Sequence, residues 1–284
     1  MNSCLGQQSN WKGRSEGDDV ARQRDNVAIL GTFRSNDFSV SLSDYRQGLL
    51  QKWHSHEEPV LILLLAGYTR EQVRGRDMIA SPLDVGVKPA GIRHQDHFWP
   101  NGVRALRVIL SESLLSELET TSRVMERWEW LRGSDAVQPL LRTVKALRAK
   151  SGHAEIEESL HESVAAMLTT TNGMKPADAP PWLCHAREHL ETSYSSGVRL
   201  RQLANQAKVH PVYFARMFRR FFGCSVGQHV RRIQLRAAAA LLANGRYSLA
   251  EIACQSEFSD QAHMTRAFTK AYEITPGEFR RLID

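Results

Sequence analysis

The chain has 284 residues, 42% of them hydrophobic, with 37 Lys and Arg against 31 Asp and Glu and a formal net charge of +6. The length accommodates two domains. Cys4, Cys184, Cys224 and Cys254 are scattered without disulfide or metal spacing, and the apolar run at 61–66 is far too short to cross a membrane. These features exclude a disulfide-stapled or membrane-spanning protein, and a reduced, cytoplasmic one without a secretory signal is expected.

Residues 1–25 are polar, with little periodicity, and read as a flexible tail. From 26 to 110 short apolar segments alternate with Gly, Pro, Asn and Asp. The predicted strands are 27–33, 38–42, 48–54, 60–68, 78–80, 83–88 and 103–110, the pattern of a small barrel or sandwich. Three amphipathic helices follow. Leu114, Leu118, Met125 and Trp128 mark the first; Val137, Leu140, Leu141, Val144 and Leu147 the second; Ile156, Leu160, Val164, Met167 and Leu168 the third. Residues 169–180 are rich in chain-breaking and polar residues and read as a linker.

The segment 181–284 carries an internal repeat. Leu203-Ala204, Val209 and Arg216 recur as Ile252-Ala253, Phe258 and Arg266, with the second turn one residue longer. Each copy reads as a helix-turn-helix. Two short helices cross closely only over a small residue, here Ala204 or Ala253, and the bulky residue after the turn fills the wedge between them. Phe214, Phe218, Met264 and Phe268 fall at core positions. Between the copies, 225–242 reads as one helix, introduced by Gly223 as a C-cap and Ser225 as an N-cap; Asn244-Gly245 ends it and Ser248 caps the next. Its length of roughly 27 Å is close to the roughly 34 Å between successive major grooves on one face of DNA. Charge follows the motifs. Residues 181–284 hold 15 Lys and Arg against 8 Asp and Glu, while the remainder holds 22 against 23. The positive excess is confined to the segment with the repeat, as expected for a polyanion partner.

This segment resembles the DNA-binding domain of the AraC/XylS family of bacterial transcription regulators. The resemblance rests on Leu203-Ala204, Arg216-Met-Phe218-Arg219, Gly223-Cys-Ser225, Ile252-Ala253, Phe258-Ser-Asp260, His263-Met-Thr-Arg266-Ala-Phe268 and Thr275-Pro276-Gly-Glu-Phe279-Arg280. Two positions depart from the family: Glu257 replaces the usual Gly before Phe258, and His210-Pro211 replaces a Ser-type N-cap. The resemblance places Val212, Ala215 and Arg216, and in the second copy Gln261, Thr265 and Arg266, against base edges. Arg can donate a bidentate pair to guanine and Gln can read adenine; Val and Ala offer apolar contact only. Arg219, Arg220, Arg231, Arg232, His263 and Lys270 suit phosphates.

The strands followed by helices resemble the cupin-like sensor and dimerisation module of many such regulators, through His54-Ser-His56 ahead of Gly67 and through Gly86-Val-Lys-Pro89-Ala-Gly91-Ile-Arg-His94. The fold class is therefore α+β multidomain: a tail at 1–25, a cupin-like β-barrel with a helical dimerisation segment at 26–168, a linker at 169–180, and an all-α domain with two helix-turn-helix motifs at 181–284. The resemblance implies double-stranded promoter DNA, RNA polymerase and a small-molecule effector as partners, a homodimer, and regulation, mainly activation, rather than catalysis. His54, His56, Trp53 and His94 are the candidate ligand pocket. Metal cupins add a carboxylate a few residues after the His-x-His pair. Glu57 and Glu58 come too early, and Val60 and Leu61 stand at the expected place, so neither metal nor cofactor is expected. The alternative is a cupin-type metal-binding enzyme with a DNA-binding appendage.

Overall fold

The computed structural model describes residues 26–119, 124–170, 179–193 and 200–284. The expected tail and most of the expected linker lie outside these. The first half is a seven-stranded antiparallel sheet, β1 (Val27–Arg34), β2 (Phe38–Tyr45), β3 (Val60–Val73), β4 (Arg76–Ala80), β5 (Asp84–Lys88), β6 (His94–Leu110) and β7 (Glu129–Arg132), in the order β1-β2-β6-β3-β5-β7 with β4 paired to β3. Alternation assigns the two faces. On β6, Leu106, Val108 and Leu110 enter the main core, while Val103, Ala105 and Arg107 line a hollow on the other side. The pairing of β3 with β6 shifts register on either side of Ala66, where the two backbones approach closely. A Cβ at Gly67 (φ 78°) would lie 1.9 Å from the carbonyl oxygen of Gly102 (φ 85°), so neither position accepts a side chain.

Two expectations change here. Residues 48–54 form only the isolated bridges Leu50–His97 and His54–His94. The first helix, α1 (Glu112–Glu119), stops well before Trp128. A 3-10 turn at Val124–Glu126 and β7 follow, because Trp128 and Trp130 donate their indole N–H groups to buried Glu71, at 3.0 and 2.7 Å. Local helical spacing lost to two buried hydrogen bonds.

Helices α2 (Val137–Ala149) and α3 (His153–Thr170) pack together against the sheet. The second half is all helical: α4 (Pro181–Ser193), α5 (Leu200–Gln206), α6 (Pro211–Phe222), α7 (Val226–Asn244), α8 (Leu249–Gln255), α9 (Gln261–Tyr272) and α10 (Pro276–Ile283). Pairs α5–α6 and α8–α9 are the two helix-turn-helix units, with Ala204 and Ala253 fully buried at the crossings. The caps fall as the sequence indicates. Gly223 and Gly245 are left-handed C-caps, and Ser225, Ser248 and Thr275 form capping boxes with Gln228, Glu251 and Glu278. His210 fills the unusual N-cap with its own side chain: Nδ1 accepts from the Val212 N–H at 3.3 Å.

Both turns put a side-chain-bearing residue in the left-handed region, Lys208 at φ 54° and Glu257 at φ 61°. The Glu257 carbonyl accepts from Gln234 Nε2 at 2.8 Å, a bond that needs no side chain. Glu257→Gly is therefore expected to stabilise the C-terminal half by about 0.5–1 kcal/mol. A raised urea midpoint checks this, and a lowered one would show that the turn carries no strain.

The core of the first unit, including Leu183, Leu203, Phe214 and Phe218, stands by itself. The core of the second unit is continuous with that of the sheet half, through Leu235, Ala238, Ala239 and Leu242 of α7. The apolar stripes of α2 and α3, expected to pair two subunits, are thus largely used inside one chain. Among the described residues no helix is long and apolar enough to cross a membrane, and Cys184, Cys224 and Cys254 are free.

Candidate nucleic-acid interface and sensing pocket

The residues expected at base edges lie on the outer faces of α6 and α9. Val212 (70% exposed), Arg216, Gln261 and Arg266 are exposed, and Ala215 and Thr265 are half-buried beside them. Both helices present the same face because each buries its other side: Phe214, Met217 and Phe218 on α6, Met264 and Phe268 on α9. Their spacing is set by α7, whose 19 residues span about 28 Å. A groove of about 820 Å³ runs between α6 and α7, edged by Arg216, Arg219, Arg231 and Gln234. Arg231 stacks on Phe258, 4.9 Å from the ring centroid. Arg219, Arg220 and Lys270 are exposed, and His263 is held by Ser259 at 2.9 Å. Arg232 differs from its expected place. It pairs with Asp135 at 3.3 Å and its methylenes cover Gly133, so it faces the sheet half.

That side of α7 is a polar seam. Arg236 bonds Asp84 Oδ2 and Ser81 Oγ, each at 2.9 Å, and lies 3.5 Å from Glu191 of α4. Burial pushes the Asp84 carboxyl up and the Arg236 charge opposes it. Arg104 of β6 and Arg148 of α2 donate to the carbonyls of Ile283 and Leu282, closing the end of α10. Gln138 donates to Glu273 at 2.6 Å.

On its far face the sheet half encloses a cavity of about 840 Å³, within the range of small-molecule sites. Ile29, Ile62, Leu64, Phe98 and Trp130 form apolar wall; Tyr45, His54, His56, Glu71, Lys88, Asp96 and Arg107 form a polar floor. Of the expected pocket residues, His54 and His56 line the cavity and His94 is buried behind them, with ring centroids 4.1–5.1 Å apart. Trp53 does not join them. It is 44% exposed and edges a separate shallow hollow beside Arg74 and Arg93.

The cavity floor also carries charges that no sequence motif marks. Lys88 is fully enclosed with Glu71 and Asp96, in contact with the first and 3.3 Å from the second. Burial opposes the lysine charge, but the two carboxylates outweigh it and hold its pKa above the ordinary lysine value. Burial pushes Glu71 up; Asp96, despite burial, is held below the usual carboxylate range chiefly by Lys88. Burial and then Arg107 drive His56 down to about 3, and burial lowers His54, so both rings are neutral near pH 7. A signal for Asp96 was present: it stands two residues from His94 on one strand, so both share a face.

Residues 203–282 match a family model described as a helix-turn-helix domain. Among curated relatives, the probable transcription factor PqrA of Proteus vulgaris is 35% identical over 86 residues, 30% of this chain and 70% of that one. The regulatory protein PocR of Salmonella typhimurium is 28% identical over 115 residues, 40% of this chain and 37% of that one. The HTH-type transcriptional regulator GlxA of Rhizobium meliloti is 35% identical over 101 residues, 31% of its length. The similarity to PocR and GlxA thus spans about a third of each. Among solved structures, the C-terminal domain of the response regulator AraT from Geobacillus stearothermophilus is 30% identical, covering 37% of this chain and 87% of that one, with TM-score 0.35. ToxT of Vibrio cholerae is 10% identical over 88% of this chain and 98% of its own, with TM-score 0.38.

Two helix-turn-helix units on one rigid connecting helix, inside the chain's basic segment, define a DNA-binding transcription regulator. The chain belongs to the AraC/XylS family of such regulators.

Proposed function

We propose that this chain is a one-component regulator that reads two adjacent major grooves with α6 and α9 and responds to a ligand held in the cavity of the sheet half. The observation that carries the DNA reading is the pair of equivalent outward helix faces, bearing Arg216 and Arg266, at opposite ends of α7. In this reading Val212, Ala215, Arg216, Gln261, Thr265 and Arg266 meet base edges. Arg219, Arg220, Arg231, His263 and Lys270 meet phosphates, and Arg232 does so only if it leaves Asp135. The cavity supports sensing: it combines apolar wall with convergent polar groups and lies across the sheet from the DNA-binding half. The Arg236–Asp84 seam is then the route by which ligand and DNA affect one another, and their effects on each other's affinity must be equal. Activation through RNA polymerase in a cytoplasmic homodimer completes the proposal by family likeness.

Arg266→Ala is expected to weaken specific binding by about 1–3 kcal/mol and to relax preference at one base position. Footprinting over operator variants measures both. Unchanged affinity with unchanged base preference would show that Arg266 does not read a base.

A further inference from the structure

Among the described residues, the sheet strands hold three cations away from full exposure: Lys88, Arg104 and Arg107. Two have carboxylates of their own. Lys88 lies between Glu71 and Asp96, and Arg104 donates to Asp44 at 2.6 and 2.7 Å. Arg107 has no such carboxylate among the described residues. Its Nη2 donates to a ring, His56 Nδ1, at 3.5 Å. Glu58 supports its charge only from an exposed position. Burial lowers the Arg107 pKa, yet a guanidinium stays protonated. A half-buried positive charge without an anion is costly unless something pairs with it.

Strand register shows what surrounds that charge. Val103, Ala105 and Arg107 alternate along β6 on the cavity side. Arg107 stands opposite Ser41 of β2 and Ile62 of β3, and Ala105 opposite Ser43 and Leu64. The cavity thus sets one cationic end beside an apolar wall that also includes Phe98. The groups near Arg107 donate as well. A guanidinium only donates, so His56 Nδ1 is the acceptor; the ring is neutral, driven down to about 3 by burial and then by Arg107, and its proton sits on Nε2. Burial pushes the Tyr45 hydroxyl up, which keeps it a phenol, and Ser41 adds a second hydroxyl to the lining.

We propose that the ligand of the cavity is a small monocarboxylate with an apolar body, its carboxylate held by Arg107 beside Tyr45 and Ser41 and its body against Ile62, Leu64 and Phe98. The proposal deepens the sensing reading and rests on it. A planar carboxylate matches the guanidinium fork through two parallel hydrogen bonds. A phosphate dianion fits less well, because Lys88 is taken up by its own two carboxylates, and these line the same cavity. A neutral ligand would leave the Arg107 charge without a counter-ion.

The test uses full-length protein, with calorimetry and thermal shift as readouts. The probes are 4-phenylbutyrate and cyclohexanecarboxylate, each against its own primary amide, and phenyl phosphate. At least one of the acids is expected to bind at millimolar affinity or tighter and to raise the unfolding temperature. Its amide should bind about 10–100-fold more weakly. Arg107→Met should bind acid and amide alike. Without ligand, the same variant should unfold at or above the parent temperature, because it removes a charge that has no counter-ion. An arginine with a merely structural role would give a lower temperature instead. No binding of either acid, amides that bind as well as the acids, or phenyl phosphate binding more tightly than both acids would each overturn the proposal. So would a folded Arg107→Met that keeps the preference for acids, or one that unfolds well below the parent. DNA affinity of the same protein is measured with and without the bound acid. DNA binding without any carboxylate binding removes this ligand class alone. Carboxylate binding that depends on Arg107 but leaves DNA affinity unchanged supports the pocket assignment and removes the sensing reading.

Discussion

Lys88→Met is expected to destabilise the sheet half by about 3–5 kcal/mol, the range for removing one partner from a buried ion pair. The lysine is 3% exposed and is the cation in contact with both Glu71, 0% exposed, and Asp96, 2% exposed. Methionine matches its length, so the loss is charge rather than volume. Glu71 keeps its two indole donors, but Asp96 loses its nearest cation. The pH dependence follows from the signs. In the parent, the depressed Asp96 pKa contributes stability that is present above the ordinary carboxylate range and lost as pH falls through its folded value. The raised Lys88 pKa contributes stability that is present below the ordinary lysine value and lost only as pH rises through its folded value. The triad is therefore fully effective across neutral pH. In the variant, the stranded carboxylates gain by taking up protons, so the deficit should shrink toward pH 4–5. Thermal unfolding across pH 4–8 measures this, with Glu71→Gln/Lys88→Met as the partial rescue. A deficit below about 1 kcal/mol at pH 7 would show that water reaches the triad.

The second large effect is at the seam. Arg236→Ala strips the fully buried Asp84 of its only arginine on α7 and leaves it the Ser81 N–H and hydroxyl, at 3.0 and 3.1 Å. A loss of about 3–5 kcal/mol is expected if the halves stay docked. Partial undocking, which hydrates Asp84, would lower that figure. Hydrogen exchange tests the coupling under both outcomes. In either case β5 and α7 should lose protection together, while the self-contained core around Phe214 and Phe218 stays protected. Loss confined to α7 would show that the seam does not couple the halves.

The C-terminal half was legible because its determinants are local: a small residue at each helix crossing, glycine C-caps, and Ser or Thr capping boxes. Most strands of the sheet half were legible by alternation; β7, the end of β3 and the first part of β6, where His94, Asp96 and His97 break the apolar pattern, were not, and 48–54 was read as a strand where only isolated bridges form. The site was read in part. His54, His56 and His94 stood out through the resemblance to the cupin-like module. Glu71 and Lys88 did not, because a buried charge is recognised only by the partner that a fold brings to it. Nor could spacing show that Arg232 and Arg236 of α7 face the sheet half, since DNA and a docked domain both favour arginine. The apolar stripes of α2 and α3 showed a buried face but not what covers it, for a related reason: periodicity marks burial without naming the partner.

The central claim is that one chain reads two adjacent major grooves, with α7 fixing the interval. Selection from a random double-stranded DNA pool with the full-length protein tests it directly. The account predicts an enriched sequence with two conserved blocks centred about one helical turn, roughly 10 bp, apart. Arg216→Ala should erase preference in one block and Arg266→Ala in the other, with affinity for the parent site falling steeply as salt rises. Enrichment of a single block that both substitutions affect alike, or no enrichment at all, would contradict it.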